Sequence, residues 1–420
     1  MNQRPPRPLG PLAPWPLLLF AACNVTAAPT SGGADLPARG DCPRGVAVVS
    51  SDYQSTEVAL LSPAGEVASA AFMSSASTEA SNLAAPLSGD VQTASSRTRP
   101  NELVLIDRFG TDVLTFVDAK TAVVRAQLPI GTGFVSNPQD YLEVSERKAY
   151  VPRLSENQSP GRQPFDSGSD LLLVDPTLPS IAKSLPMPRQ AGFSPNPAAV
   201  ALLGDVVLVT LQHARPDYSG MADSELVGVD SRDDSVRYRV ALQGLQNCGR
   251  AELSPDQQQL AVACASHVDP RGETSDAAGS GIVLLDATQQ PPRELWRAAG
   301  SELVGGAIQS SLQWVDDDTL LFKSQTAQGG QGDNQLLALH LGSGESQLLA
   351  TAARASNGSG YGIAFLGMSC QVACGDPCLV ADASRGHLLR LRFAEGRLFD
   401  DGEVLIGGAG LPPSAVTPFW

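Results

Sequence analysis

The stretch LTFVDAKTAVVRAQLPIG, Leu114 to Gly131, sets two short apolar runs on either side of a polar turn, the pattern of a β-hairpin. The same shape returns as VALLSPAGEVASA from Val58, LLLVDPTLPSIAKSL from Leu171 and LVGVDSRDDSVRYRVAL from Leu226. It returns again as IVLLDATQQPPRELW from Ile282, LLALHLGSGESQLLA from Leu336 and LLRLRFAEGRLFDDGEVL from Leu388. The residue closing the first run falls at Ser62, Asp118, Asp175, Asp230, Asp286, His340 and Arg392, at steps of 56, 57, 55, 56, 54 and 52. So regular a period marks a repeat architecture.

Each copy follows another apolar strand, from VAVVSSDY at Val46 through KAYVPRL at Lys148 to CLVADAS at Cys378. Before most of these lies a further turn-bounded segment, such as AVALLGD or RAELSPDQQQ. Four antiparallel strands repeated seven times predict an all-β, seven-bladed β-propeller. No helical period competes with that reading. Blade 1 begins at its second strand. The C-terminal GGAGLPPSAVTPFW, Gly407 to Trp420, resembles the segments that open other blades, so it is expected to supply the missing inner strand and close the ring.

The pattern N-P-x-x-apolar, then KAYV (Lys148–Val151), LLLVD (Leu171–Asp175) and IAKSLPMP (Ile181–Pro188), resembles the YVTN-repeat β-propellers, with similarity to lactonase-like propellers. The match is best over Leu103 to Leu242. The resemblance implies a bacterial, exported protein whose relatives mostly bind proteins, peptides or glycans.

Composition narrows the partners. The chain of 420 residues carries a formal charge of −15 and only four lysines, which argues against nucleic acid, whose phosphates require clustered cations. At the N-terminus, Arg4 and Arg7 precede the apolar Leu17–Ala22, which is too short to span a bilayer. FAAC, ending at Cys23, resembles a bacterial lipoprotein signal, so residues 1–22 are expected to be removed and Cys23 acylated; an ordinary signal peptide cleaved near Ala28 is the alternative. Asn24, where an Asp would retain such a protein at the inner membrane, points to the outer membrane. Residues 23–42 read as a flexible tether and 43–420 as the propeller. The chain is expected to be a monomer in the cell envelope, touching membrane only through its lipid.

Six cysteines remain in an oxidising compartment, enough for three disulfides. Cys248 and Cys264 flank the SPDQQQ turn symmetrically and should face each other across a hairpin. Cys370, Cys374 and Cys378 share one turn of blade 7. One bridge should span that turn and another should tie it to Cys42, with Cys374 the first choice. A four-thiolate zinc site is the rival, but C-x3-C-x3-C does not match common zinc spacings.

Enzyme motifs are lacking: there is no G-x-S-x-G, no H-E-x-x-H and no phosphate loop. His213 and His267 follow the second strands of adjacent blades and could share a metal with Asp217 or Asp269, although solvated loop positions are the simpler reading. No cofactor is expected. The loops between second and third strands are long in blades 3 to 6. They carry Arg162, Phe165, Arg215, Tyr218, Arg271 and Asn334, and all should project from one face. The segments entering the central channel supply few polar groups: Asp140, Asn196 and Arg250. Asp233 and Asp234 sit in a hairpin turn and are expected to be solvated. The balance favours a non-enzymatic scaffold for a protein, peptide or glycan over a lactonase-type hydrolase, which would need convergent acids and bases at the channel mouth.

Overall fold

The computed structural model describes residues 42–77, 83–267, 277–325, 333–353, 363–407 and 410–420. They form seven antiparallel sheets of four strands each, arranged as a closed ring of blades. Blade 4 shows how sequence becomes strand. Its second strand, VVLVTL (Val206–Leu211), is buried along its whole length, because neighbouring blades cover both faces. Its fourth strand, VRYRVA (Val236–Ala241), lies on the rim and mixes exposed with half-buried positions. Runs of β-branched and Leu residues thus mark inner positions, and polar, partly exposed strands mark the rim.

Seven hydrophobic clusters fill the fold, one at each seam between adjacent blades. The core therefore lies between sheets, and no blade can bury its faces alone. The seam that closes the ring joins Val46, Val48 and Val416 of blade 1 to Leu379, Ala381 and Leu388 of blade 7. The C-terminal strand Pro413–Phe419 is the innermost strand of blade 1, pairing with Gly45–Ser51. At this seam a Cβ on Gly367 would lie 2.4 Å from the Val416 nitrogen, so only glycine lets the two inner strands approach so closely.

The three disulfides are Cys42–Cys374, Cys248–Cys264 and Cys370–Cys378. The first joins residues 332 positions apart with Cα atoms 5.7 Å apart, tying blade 1 to blade 7. One departure from the all-strand expectation is a five-residue helix, Gly300–Val304, in the crossover from blade 5 to blade 6.

Strand direction gives the ring two faces. The hairpin face carries the turns between first and second, and third and fourth, strands. The crossover face carries the loops between second and third strands and the blade-to-blade connections. The described chain begins at Cys42 on the hairpin face, where the Arg44 nitrogen donates to the Phe419 carbonyl at 2.8 Å.

Candidate functional site

The axial channel is lined by the first strand of every blade. Arg250, in Cys248–Leu253 of blade 5, reaches across it and donates from Nη1 to the Ser95 carbonyl of blade 2 at 2.5 Å. Glu252, two residues on, sits 3.7 Å from Arg250, and burial raises its carboxyl above the ordinary range against the pull of that guanidinium. Asp140 is buried and accepts hydrogen bonds from the Ser95 hydroxyl, the Tyr141 nitrogen at 2.8 Å and the Val200 nitrogen at 3.2 Å. It therefore laces the inner strands of blades 2, 3 and 4. Asn196 is also buried: its Nδ2 donates to the Leu154 carbonyl and its Oδ1 accepts from the Ala214 nitrogen, joining blades 3 and 4. These side chains are engaged in holding blades together. Among the described residues, no group of three or more His, Cys, Asp or Glu could hold a metal ion.

His213 and His267 are not equivalent. His213 is fully buried, with Nε2 3.4 Å from Glu225 Oε2. Burial opposes ionisation of Glu225, but His213 and Arg239 hold its carboxyl below the ordinary range. His267 is only half-buried, with Nε2 3.1 Å from the Tyr218 carbonyl, where it braces that loop. Asp217 is spent on its own turn, accepting from the Ser219 nitrogen and hydroxyl. The loop-entry symmetry visible in sequence thus dissolves into two different local roles.

Two further expectations need correction. Asn334 is completely buried at the start of its strand in blade 6, so its side chain is not on the binding surface. Asp234 is not a solvated turn residue: it is within 2.6 Å of Lys148 Nζ and accepts from the Tyr150 hydroxyl at 2.7 Å, joining blade 4 to blade 3. Burial of the tyrosine ring beside that turn makes the contact worth having. Cys23, Arg271 and Asp269 lie outside the described residues.

The crossover face is different in kind. In each of blades 1 to 4, the loop between second and third strands exposes one aromatic ring: Tyr53, Phe109, Phe165 and Tyr218, at 49%, 62%, 37% and 39% exposure. They recur at steps of 56, 56 and 53, the period of the fold itself. Sequence reading picked out Phe165 and Tyr218 in the long loops and missed Tyr53 and Phe109 in the short ones. The signal was the repeat, in SDYQS, DRFGT, QPFDS and PDYSG.

Local chemistry fixes each ring. Tyr53, Phe165 and Tyr218 adopt positive φ of 66°, 60° and 56°, which bulky side chains rarely do. The surroundings impose it. Asp166 accepts from the backbone nitrogens of Gly161, Gln163 and Arg162, bonds that hold its carboxyl below the ordinary range. The Phe165 carbonyl accepts from Arg153 Nη2 at 2.6 Å and the Thr132 hydroxyl at 3.0 Å. Arg153 is itself buried and paired with Asp170 at 2.7 Å. Burial raises the Tyr218 phenol above its usual value, opposed by a hydrogen bond with Ser155 of blade 3. Between blades 1 and 2, the Arg108–Asp90 pair links the Phe109 turn to the crossover beneath Tyr53. From blade 2 to blade 3, Asp112 accepts from the nitrogens of Ser136 and Asn137 at 3.0 Å. The four rings therefore stand on one braced rim. Arg162 is exposed beside Phe165, and Arg215 stacks over Phe193 at 5.5 Å beside Tyr218.

No family model matches this chain, and no curated protein matches it in sequence. Solved structures do match in fold. A "putative 6-phosphogluconolactonase" from Bacteroides uniformis aligns with TM-score 0.54 at 10% identity, over 89% of this chain and 99% of that one. A hypothetical selenium-binding protein from Sulfolobus tokodaii aligns with TM-score 0.56 at 9% identity, over 89% and 93%. Hydrazine synthase of Kuenenia stuttgartiensis aligns with TM-score 0.51 at 14% identity, over 81% and 90%. At these identities the likeness is one of fold. The expected lactonase-like propeller stands as architecture, and the YVTN-repeat assignment is not carried by any family model.

Proposed function

We propose that this chain is a lipid-anchored envelope β-propeller that binds a partner on its crossover face and does no chemistry of its own. The observation carrying this reading is the rim of four aromatic rings, one per blade, on loops braced by buried hydrogen bonds. Aromatic anchors held rigidly lose little conformational freedom on binding, and such residues with Arg dominate recognition surfaces. The channel supports the same reading. Arg250, Asp140 and Asn196 already serve the ring, where a hydrolase would need them free to meet a substrate.

The anchor and the rim are compatible. The described chain starts at Cys42 on the hairpin face, opposite the rings, where a tether from an acylated Cys23 would join it. The test is a photo-crosslinking amino acid placed in living cells at Tyr218 or Phe109, with Leu178 as the control. Leu178 is 73% exposed in a turn of the hairpin face. Discrete adducts from the two rim positions and none from Leu178 are expected. Adducts from Leu178 alone would move the binding face to the other side.

A further inference from the structure

We infer that the rim binds an extended polypeptide segment that alternates apolar and acidic residues. This deepens the binding reading above and rests on it. Rings at one per blade, on four successive blades, match a ligand that is itself a chain presenting apolar groups at intervals.

The class of chain follows from what remains free around the rings. A glycan is read through its hydroxyls, which need unspent acceptors and donors. Here the carboxylates of the loops are taken. Asp52 receives the nitrogens of Gln54 and Ser55 at 2.9 and 2.7 Å. Asp166 receives three backbone nitrogens, Asp217 receives Ser219, and Asp90 is paired with Arg108. Two of the four rings are phenylalanines, with no polar edge to offer. What remains includes apolar ring surface and two guanidinium groups. Arg162 and Arg215 form no ion pair with any described residue. On a chain of net charge −15, these two exposed guanidinium groups stand beside the rings, Arg215 acting also on Asp217 of its own loop. They complement carboxylates, and a guanidinium holds a carboxylate through two parallel hydrogen bonds.

The experiment uses the full-length protein in detergent. A phage-displayed random-peptide library is panned against it, and the recovered sequences are synthesised. Each is also made with its acidic residues replaced by lysine. Cello- and chito-oligosaccharides are titrated in parallel. Recovered peptides are expected to combine acidic with leucine, proline or aromatic residues. Phe109→Ser and Tyr218→Ser should each weaken binding about tenfold, the scale of an interface anchor. Phe109→Tyr should retain it. Arg162→Ala with Arg215→Ala should weaken the acidic peptide and leave the lysine version unchanged. Unaltered melting of each variant separates contact from misfolding.

Oligosaccharide binding that depends on the same rings would overturn the polypeptide assignment and leave the crossover face as the binding face. Peptides that bind the ring variants as well as wild type would overturn the use of the rim itself. Failure to recover any binding peptide would also overturn the inference, while the crosslinking pattern separately decides whether the face is used.

Discussion

Lys323 offers a quantitative test of the seam between blades 6 and 7. It lies in the second strand of blade 6, Thr319–Gln325, with 2% of its surface exposed. Its Nζ donates to the Leu366 carbonyl of blade 7. It forms no ion pair with a described residue, and burial pushes its amine down to about 7. An ordinary lysine, as in the unfolded chain, titrates near 10.5. Between these values the unfolded chain holds a proton that the folded chain has released, so stability rises with pH. Below about 7 both states hold the proton and the burial cost is felt in full. The cost is about 5 kcal/mol at pH 6 and about 1 kcal/mol at pH 9.5. Lys323→Met keeps the shape and removes the charge, giving up one hydrogen bond worth about 1 kcal/mol. Guanidinium unfolding of wild type and Lys323→Met should therefore favour the variant at pH 6. That advantage should shrink by about 3 kcal/mol by pH 9.5. A difference between the two proteins that stays constant across this range would refute the burial of an uncompensated amine.

Three other outcomes are expected. Deleting Leu411–Trp420 removes the inner strand of blade 1, leaving its edge and the blade 7 seam bare; differential scanning calorimetry should show loss of the native transition or aggregation. The paired change of Cys42 and Cys374 to Ser should lower stability by roughly 6 kcal/mol if chain entropy dominates, without altering peptide binding on the opposite face, as denaturation and titration of the same samples will show. Metabolic labelling with a palmitate analogue should mark the wild type and not Cys23→Ala; equal labelling of both would remove the anchor.

Much of this molecule is written in its period. Seven apolar runs at nearly equal steps leave few arrangements that bury both faces of every sheet, and a closed ring of seven blades is one that does. The same logic made Pro413–Phe419 the partner of Gly45–Ser51, because an inner strand was missing at one end and spare at the other. Cysteine spacing placed Cys248 opposite Cys264, since residues equidistant from a hairpin turn share a register position. These features depend on local pattern, and local pattern survives in a linear string.

Long-range pairing does not survive there. Asp234 reads as one of two acids in a turn until the fold sets Lys148 and Tyr150 beneath it. Arg250 reads as a polar group at a channel mouth until the ring places Ser95 across the axis. Lys323 reads as one cation in TLLFKSQ, and only packing reveals that no described carboxylate lies within ion-pair distance. Even Tyr53 and Phe109, whose period the sequence carries, look like ordinary turn residues until strand direction puts all four rings on one face. The sequence by itself determined the repeat, the closure and the staples, because each is a matter of spacing along the chain. Tertiary structure decided which polar groups are spent and which stay free, because that depends on neighbours brought together from blades far apart in sequence.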